Sequence, residues 1–359
     1  MLQRIKNRLT DKAKRKGSRD LFTNGELTAL RTGDALPVLG RFCRILLLLF
    51  LAQHFIAGYV YSQEIERQQN ILIIKSGNAT VYGKVISAIE HYFILYCERH
   101  PDVCTEVDIT SSTPTDLKPE WSRHSDLIIT LGTKAATFTR NNGVSKKTIH
   151  AMIPMLPNRN SNISDRFFQE ADTIYLNQPL ERSLRLAKLS TGGGKRIGIL
   201  IHKNNRPAES ILRKSENKLG VTITLAEVVD SKELGSKLGK LLESSDVLLA
   251  LPDANIHNRK TISNILTSTY RKQVPVVGFS AAYVKAGAIS AVHSTPDDIA
   301  RHIVDVSASH LSKKNDLIKG PKYPKYFSVS VNRKVARSLG IKLPSETHLR
   351  DQISAGETP

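Results

Sequence analysis

Residues 196–253 read RIGILIHKNNRPAESILRKSENKLGVTITLAEVVDSKELGSKLGKLLESSDVLLALPD. Ile197 to Ile201, Val221 to Leu225 and Val247 to Leu251 are apolar runs too short for helices, so each predicts a strand. Between them lie segments of helical period. Ala208, Ile211, Leu212, Ser215 and Leu219 form one apolar face, and Leu234, Leu238, Leu241 and Leu242 form another. Asp230 with Glu233 three residues later has the form of a capping box opening the second helix. Strand and helix in strict alternation is the pattern of a parallel sheet with helices on its faces.

The same alternation extends in both directions. Downstream, a helix carrying Ile262, Ile265 and Leu266 precedes strands at Val274 to Val277 and Ala288 to Val292. Thr295-Pro296-Asp297-Asp298 then predicts a helix start, with a hydroxyl cap, proline in the first turn and acids facing the dipole. Ser312 to Lys325 reads as a loop or linker, and Phe327 to Val331 as a last strand. Upstream, Ile71 to Ile74 predicts a strand and Val81, Val85, Ile89 and Phe93 the face of a helix. Strands follow at Val107 to Ile109, Leu127 to Leu131, Ile149 to Ile153 and Ile174 to Leu176, with a short helix over Gly132 to Asn141. Two consecutive α/β series predict two similar lobes. In open sheets of this kind ligands bind beyond the carboxyl ends of the strands, so the expected function is binding in a cleft with hinge closure.

Arg41 to Gln63, RFCRILLLLFLAQHFIAGYVYSQ, sets the expected compartment. Basic residues precede sixteen uncharged ones, Ile45 to Val60, and small residues follow, which is the order of a secretory signal. The densest apolar part, Ile45 to Ala57, is shorter than the roughly 20 residues that cross a bilayer. Cleavage before Gln63 is therefore expected, with an anchor retained over 45–60 as the alternative. The first 44 residues hold 11 Lys or Arg and four Asp or Glu. They admit a cytoplasmic tail, a basic arm or an initiation site upstream of the true one; a start at Val38 gives a compact leader and is preferred over the tail. The block KAKRK at Lys12 to Lys16 lacks aromatic interleaving, so no nucleic acid is expected as partner, and the membrane enters only through the signal or anchor.

The whole chain of 359 residues has a net charge of +19; removing the +7 of residues 1–62 leaves +12 on about 297. That length buries a sizeable core, and the charge favours acidic surroundings without naming a ligand. Of three cysteines, Cys43 precedes the apolar run, where lipid attachment would need it after. Cys97 and Cys104 remain as a pair in a compartment that permits oxidation, and a disulfide from helix end to strand start across His100-Pro101-Asp102 is expected over two packed thiols.

Several motifs invite chemistry. Gly192-Gly193-Gly194-Lys195 lacks the spacing and the Ser or Thr of a phosphate loop and precedes a strand, so it reads as a flexible connection between lobes. Gly132 and Thr133, after the strand DLIITL, offer free N–H groups and a hydroxyl to a carboxylate, or ordinary capping. Asp253 and Asn255, after VLLAL, suit an amine or hydroxyls, or cap the next helix. Phe279 and Ser280 follow the strand VPVV and Tyr283 lies a turn later, where a ring stacks on a ligand or fills the core. Ser76 and Asn78, in the turn after the first strand, complete the candidate ligand-binding set. His202 and His293 stand at strand ends and read as hydrogen-bonded surface histidines. There is no G-x-S-x-G elbow, no H-E-x-x-H and no Cys or His cluster, so no enzyme, metal or cofactor is expected.

The run from Asp246 to Pro296 resembles the ABC transporter substrate-binding family whose characterised members include binders of aromatic amino acids. Its marks are Leu251-Pro252-Asp253, the helix with Tyr270, VPVVGFS at Val274 to Ser280 and VKAGA at Val284 to Ala288. DLIITLGTKAA at Asp126 to Ala136 and VNRKVARSLGIKLP at Val331 to Pro344 also match. The resemblance implies a type I periplasmic binding fold with two lobes, three crossovers and no catalysis, a small-molecule ligand such as an amino acid or another small polar solute, and an ABC permease as partner. It carries Gly132, Thr133, Asp253, Phe279 and Ser280 to the cleft. It weakens around IIKSGNATVYGKVISAIEHYF, where a longer loop and a Gly-Phe pair are missing. The expected organisation is a leader at 1–62, one lobe from 63–178 and 293–325, a second from 179–292 and 326–345, and a flexible tail at 346–359. A membrane-anchored sensor or scaffold on the same fold is the alternative to a periplasmic importer component.

Overall fold

The computed structural model describes residues 68–357 apart from 102, 105, 145, 146, 156–170 and 312–319. The leader, Cys43 and the anchor expected at 45–60 lie outside the described residues. The first sheet holds β1 (Gln68–Lys75), β2 (Glu106–Ser112), β3 (Leu127–Leu131), β4 (Thr148–Ile153) and β5 (Asp172–Tyr175), joined by a two-residue strand from farther down the chain. All of its pairings are parallel. In β1, Ile71 and Ile73 enter the core under helix α1 (Thr80–Arg99), while Leu72 and Ile74 face α2 (Pro119–His124) and α3 (Thr133–Asn141). A strand buried on both faces needs apolar residues at every position, hence the unbroken run that marks it in the sequence. The face expected for α1 is buried at Val85, Ile89 and Phe93 and is widened by Ile86 and Cys97, while Val81, in the first turn, is exposed.

The second lobe opens with α4 (Leu180–Ser190), then alternates β6 (Arg196–His202), α5 (Glu209–Leu219), β7 (Thr222–Val228), α6 (Leu234–Glu243) and β8 (Val247–Leu249). It continues with α7 (Ile262–Arg271), β9 (Val276–Gly278), α8 (Ala281–Ala286) and β10 (Ser290–His293). Asp230 caps a short 3-10 turn ahead of α6 by accepting from the Lys232 N–H at 2.9 Å. Helix α9 (Pro296–Leu311) returns to pack on α1; its start is closed by Thr295, whose N–H and hydroxyl both reach Asp298. Strand β11 (Pro321–Lys322) joins the first sheet beside β5, inside the stretch expected as linker, and β12 (Ser328–Val331) joins the second, antiparallel to β10.

The chain thus crosses between the sheets three times, at 176–179, 294–295 and 323–327. The first two crossings leave the carboxyl ends of β5 and β10. The third leaves the end of β11 and enters β12, whose Ser328 pairs with His293 at the end of β10. Every link therefore lies at the carboxyl edges of both sheets, and those edges meet at the links.

Two expectations are corrected. Gly192-Gly193-Gly194 is no connection between lobes: it turns the chain from α4 into β6 within one lobe, with Gly193 donating to the Lys188 carbonyl at 3.0 Å. The expected flexible tail is a helix, α10 (Arg333–Ser338) being followed by α11 (Glu346–Ala355), which is capped by Ser345 and buries Leu349 and Ile353 in the second core. Cys97 and Cys104 form a disulfide with Cα atoms 5.2 Å apart, tying the end of α1 to the approach of β2. Because the loop it closes is short, replacing both with serine is expected to cost about 2 kcal/mol. A urea midpoint that does not move would contradict this.

Candidate functional site

At the carboxyl end of β3 the chain must turn at once into α3, and Gly132 makes that turn with φ 89° and ψ 168°, a conformation open to glycine. Its N–H donates to the Ala151 carbonyl at 2.8 Å. The Ser76 hydroxyl, one residue past β1, accepts from the Ala135 N–H at 3.0 Å, so β1 caps the helix that follows β3. The N–H groups of Thr133 and Lys134, in the first turn, have no acceptor inside the helix and lie at its positive end. The approach is close: a Cβ on Gly132 would stand 2.7 Å from Ser76 Oγ and 2.8 Å from the Tyr82 hydroxyl. Asn78 is exposed beyond this turn.

In the second lobe the ends of β8 and β9 carry a compact polar and aromatic set. Asp253 is only 4% exposed. Its Oδ2 accepts from the His202 N–H at 2.8 Å and its Oδ1 from the Asn255 N–H at 3.0 Å. It therefore ties the end of β6 to the loop after β8, and the expectation of an open strand-end carboxylate is corrected. Without the carboxylate two backbone donors lose their acceptor. Asp253→Ala is accordingly expected to cost about 3 kcal/mol, read by denaturant unfolding; a change below about 1 kcal/mol would show that water replaces both bonds.

Ser280 caps α8 by accepting from the Tyr283 N–H at 3.2 Å. Tyr283 is buried, which raises its phenol pKa, and its hydroxyl lies 3.0 Å from His257 Nδ1. Half-buried Phe279 completes a ring cluster, its centroid 5.3 Å from Tyr283 and 6.0 Å from His257. Burial lowers the His257 pKa to about 4 against the pull of Asp253, so the ring is neutral, and its Nε2 is enclosed without a partner. Asn255 is exposed beside this cluster. His202 accepts from the Asn204 N–H at 3.3 Å, and His293 lies 2.9 Å from the Ser330 hydroxyl.

The structure brings Ser76, Gly132 and Thr133 together at one sheet edge and Asp253, Asn255, Phe279, Ser280 and Tyr283 at the other. Among the described residues no hydrogen bond joins the two sets. Tyr82 and His257 belong to these sets and were not singled out by the sequence. Tyr82 lies off the apolar stripe expected for α1, and His257 reaches the rings only because the turn at 253–257 folds back through the His257 N–H to the Asp253 carbonyl, 2.7 Å. Chemically, the first edge offers N–H donors and hydroxyls suited to a carboxylate, and the second an aromatic face with a neutral imidazole. Among the described residues no group of three His, Cys, Asp or Glu side chains could hold a metal ion.

A family model described as ABC transporter substrate binding protein matches residues 121–351. No curated protein matches the chain. Among solved structures, the ligand-free, open form of a substrate binding protein with adhesive properties from Clostridium difficile is 14% identical. It superposes with a TM-score of 0.58 over 77% of this chain and 96% of that one. A Streptococcus pneumonia ABC domain in complex with L-Trp is 17% identical, with a TM-score of 0.49 over 79% and 98%. A conserved domain protein from Vibrio cholerae is also 17% identical, with a TM-score of 0.47 over 81% and 98%. The matched family segment begins at Trp121, after β1, α1 and β2, the region where the sequence resemblance weakens.

Proposed function

The chain belongs to the ABC transporter substrate-binding protein family, and on that premise we propose that it captures a small polar solute between its lobes, outside the cytoplasm, for an ABC permease. The observation that carries this reading is the free amino-terminal turn of α3 at Gly132 and Thr133, set beside Ser76 on the sheet edge where the three crossovers lie. Two unpaired N–H groups at the positive end of a helix favour an anion, so the solute carries a carboxylate, and an amino acid fits. Phe279 supplies a ring against its apolar part, and closure of the lobes buries it. Asp253 acts here by fixing the second edge rather than by touching the solute. The protein binds and releases: the polar groups at the two sheet edges hold strand ends and caps.

The test is thermal unfolding of the protein against amino acids, their decarboxylated amines, nucleosides and vitamins. A cognate solute at 100 times its dissociation constant adds about 2.7 kcal/mol. The reading requires stabilisation by a carboxylate-bearing solute and none by its amine counterpart. Equal stabilisation by both would remove the carboxylate from the account.

A further inference from the structure

The three crossovers are held together by side chains that neither sheet edge uses. The Ser294 hydroxyl, in the second crossover, accepts from Gln178 Nε2 of the first at 2.9 Å and donates to the Tyr326 carbonyl of the third at 3.0 Å. The other end of the Gln178 amide, Oε1, accepts from Arg182 Nη1 at 2.5 Å. The same nitrogen donates to the Pro324 carbonyl at 3.0 Å, again in the third crossover. Arg182 is 5% exposed, in the first turn of α4, with its guanidinium 4.1 Å from the Phe327 ring centroid. Its two remaining bonds, from Nε at 2.6 Å and Nη2 at 2.8 Å, both go to the carboxylate of Glu357.

Glu357 stands two residues beyond α11, within the stretch expected to be a flexible tail. Leu349 and Ile353 dock α11 in the second core together with residues of α4, and that docking sets the carboxylate against Arg182. The bidentate pair satisfies a buried charge and fixes the plane of the guanidinium, leaving Nη1 aimed at the first and third crossovers. The solute contacts proposed above require none of these bonds. A buried arginine with bonds to two of the three links is placed to set their relative geometry.

We propose that Glu357, acting through Arg182 and Gln178, sets the resting angle between the lobes, so that the carboxyl-terminal helix is a positioning element of the hinge. The inference rests on the reading that the lobes move to enclose a solute. Removing the carboxylate leaves Arg182 without its counter-charge; the guanidinium swings toward water and releases Gln178 and Pro324. The links then constrain the lobes less.

The experiment is electron–electron distance measurement on the full chain, in a Cys43→Ser background with Lys84→Cys and Lys260→Cys carrying spin labels, one exposed site in each lobe. Glu357→Gln keeps the size of the side chain and the docking of α11. Its solute-free distance distribution is expected to broaden, roughly doubling in width, as hinge restraint is lost. Gln178→Ala, which cuts the same relay without touching α11, is expected to broaden it likewise. A width equal to the parent's in both variants overturns the proposal, even if the melting temperature falls, since stability alone does not move this readout. The parent chain measured with the panel solutes separates the two claims. No narrowing or shift with any solute counts against the binding reading, while the comparison of solute-free variants decides the hinge relay alone.

Discussion

Gly132→Ala is expected to destabilise the first lobe by about 4 kcal/mol, from about 1–3 for a backbone conformation open to glycine and about 1–3 for overlap. The added methyl would stand 2.7 Å from Ser76 Oγ, which cannot retreat without giving up the Ala135 N–H, and 2.8 Å from the hydroxyl of Tyr82, which packs on the core. Gly143→Ala is the control. Gly143 has φ 59° and nothing within 4 Å of a built Cβ, so it carries only a left-handed backbone cost of about 1 kcal/mol. Equal losses at the two positions would show that the turn into α3 is not tightly built. Solute affinity is expected to fall with Gly132→Ala, since Ser76, Gly132 and the first turn of α3 move together.

Acid is expected to destabilise the protein well before its carboxylates titrate. Burial lowers the pKa values of His150, His257 and His302 to about 4 each from the ordinary 6.5. Each is neutral in the fold and hydrogen-bonded at Nδ1: His150 to the Thr130 hydroxyl at 2.8 Å, His257 to that of Tyr283, and His302 as acceptor from the Lys325 N–H at 3.2 Å. Above pH 6.5 the folded and unfolded chains bind the same protons at these sites, and they contribute no pH dependence. Between about 6.5 and 4 the unfolded chain takes up protons that the folded one refuses, so stability falls with falling pH. At pH 5 each site removes about 2 kcal/mol, or about 6 together. Denaturant unfolding at pH 7, 6 and 5 measures it, and a flat profile over that window would contradict the buried, neutral assignment. His302→Gln, which keeps an acceptor without a titrating group, is expected to flatten the profile by about a third.

The inner strands were legible because they are buried on both faces, and a two-sided strand such as β1, β3 or β6 needs an unbroken apolar run. Helix α11 was not. Its two buried residues, Leu349 and Ile353, sit among charged neighbours at the end of the chain, and their partners in the second core come from residues far away in sequence. Strand β11 has only Pro321 and Lys322, held in place by Lys322 Nζ on the Asp172 carboxylate at 2.6 Å, which no local pattern announces.

At the site, Gly132 and Thr133 stood out because a glycine directly after an apolar run and before a helix has a backbone reason to be there. Asp253 stood out at its strand end with two readings, a ligand or a cap, and its carboxylate takes backbone donors. An acid at such an end faces either a ligand or neighbouring backbone, and what decides between them is His202, far off in sequence and adjacent only once β6 lies beside β8. The relay from Glu357 to Ser294 was invisible for the same reason: its bonds from Arg182 to Glu357 and from Gln178 to Ser294 join residues more than a hundred positions apart, and only the one between Arg182 and Gln178 is local.

The central claim is that a solute sits between the two sheet edges. A crystal structure of the protein with the solute that stabilises it most tests this directly. The account predicts a carboxylate on the N–H groups of Thr133 and Lys134, beside Ser76, with Phe279 against the rest of the molecule. A solute lodged instead in the groove of lobe two between Ile262, Leu266, Tyr270 and Val335, with the sheet edges unchanged, would contradict it.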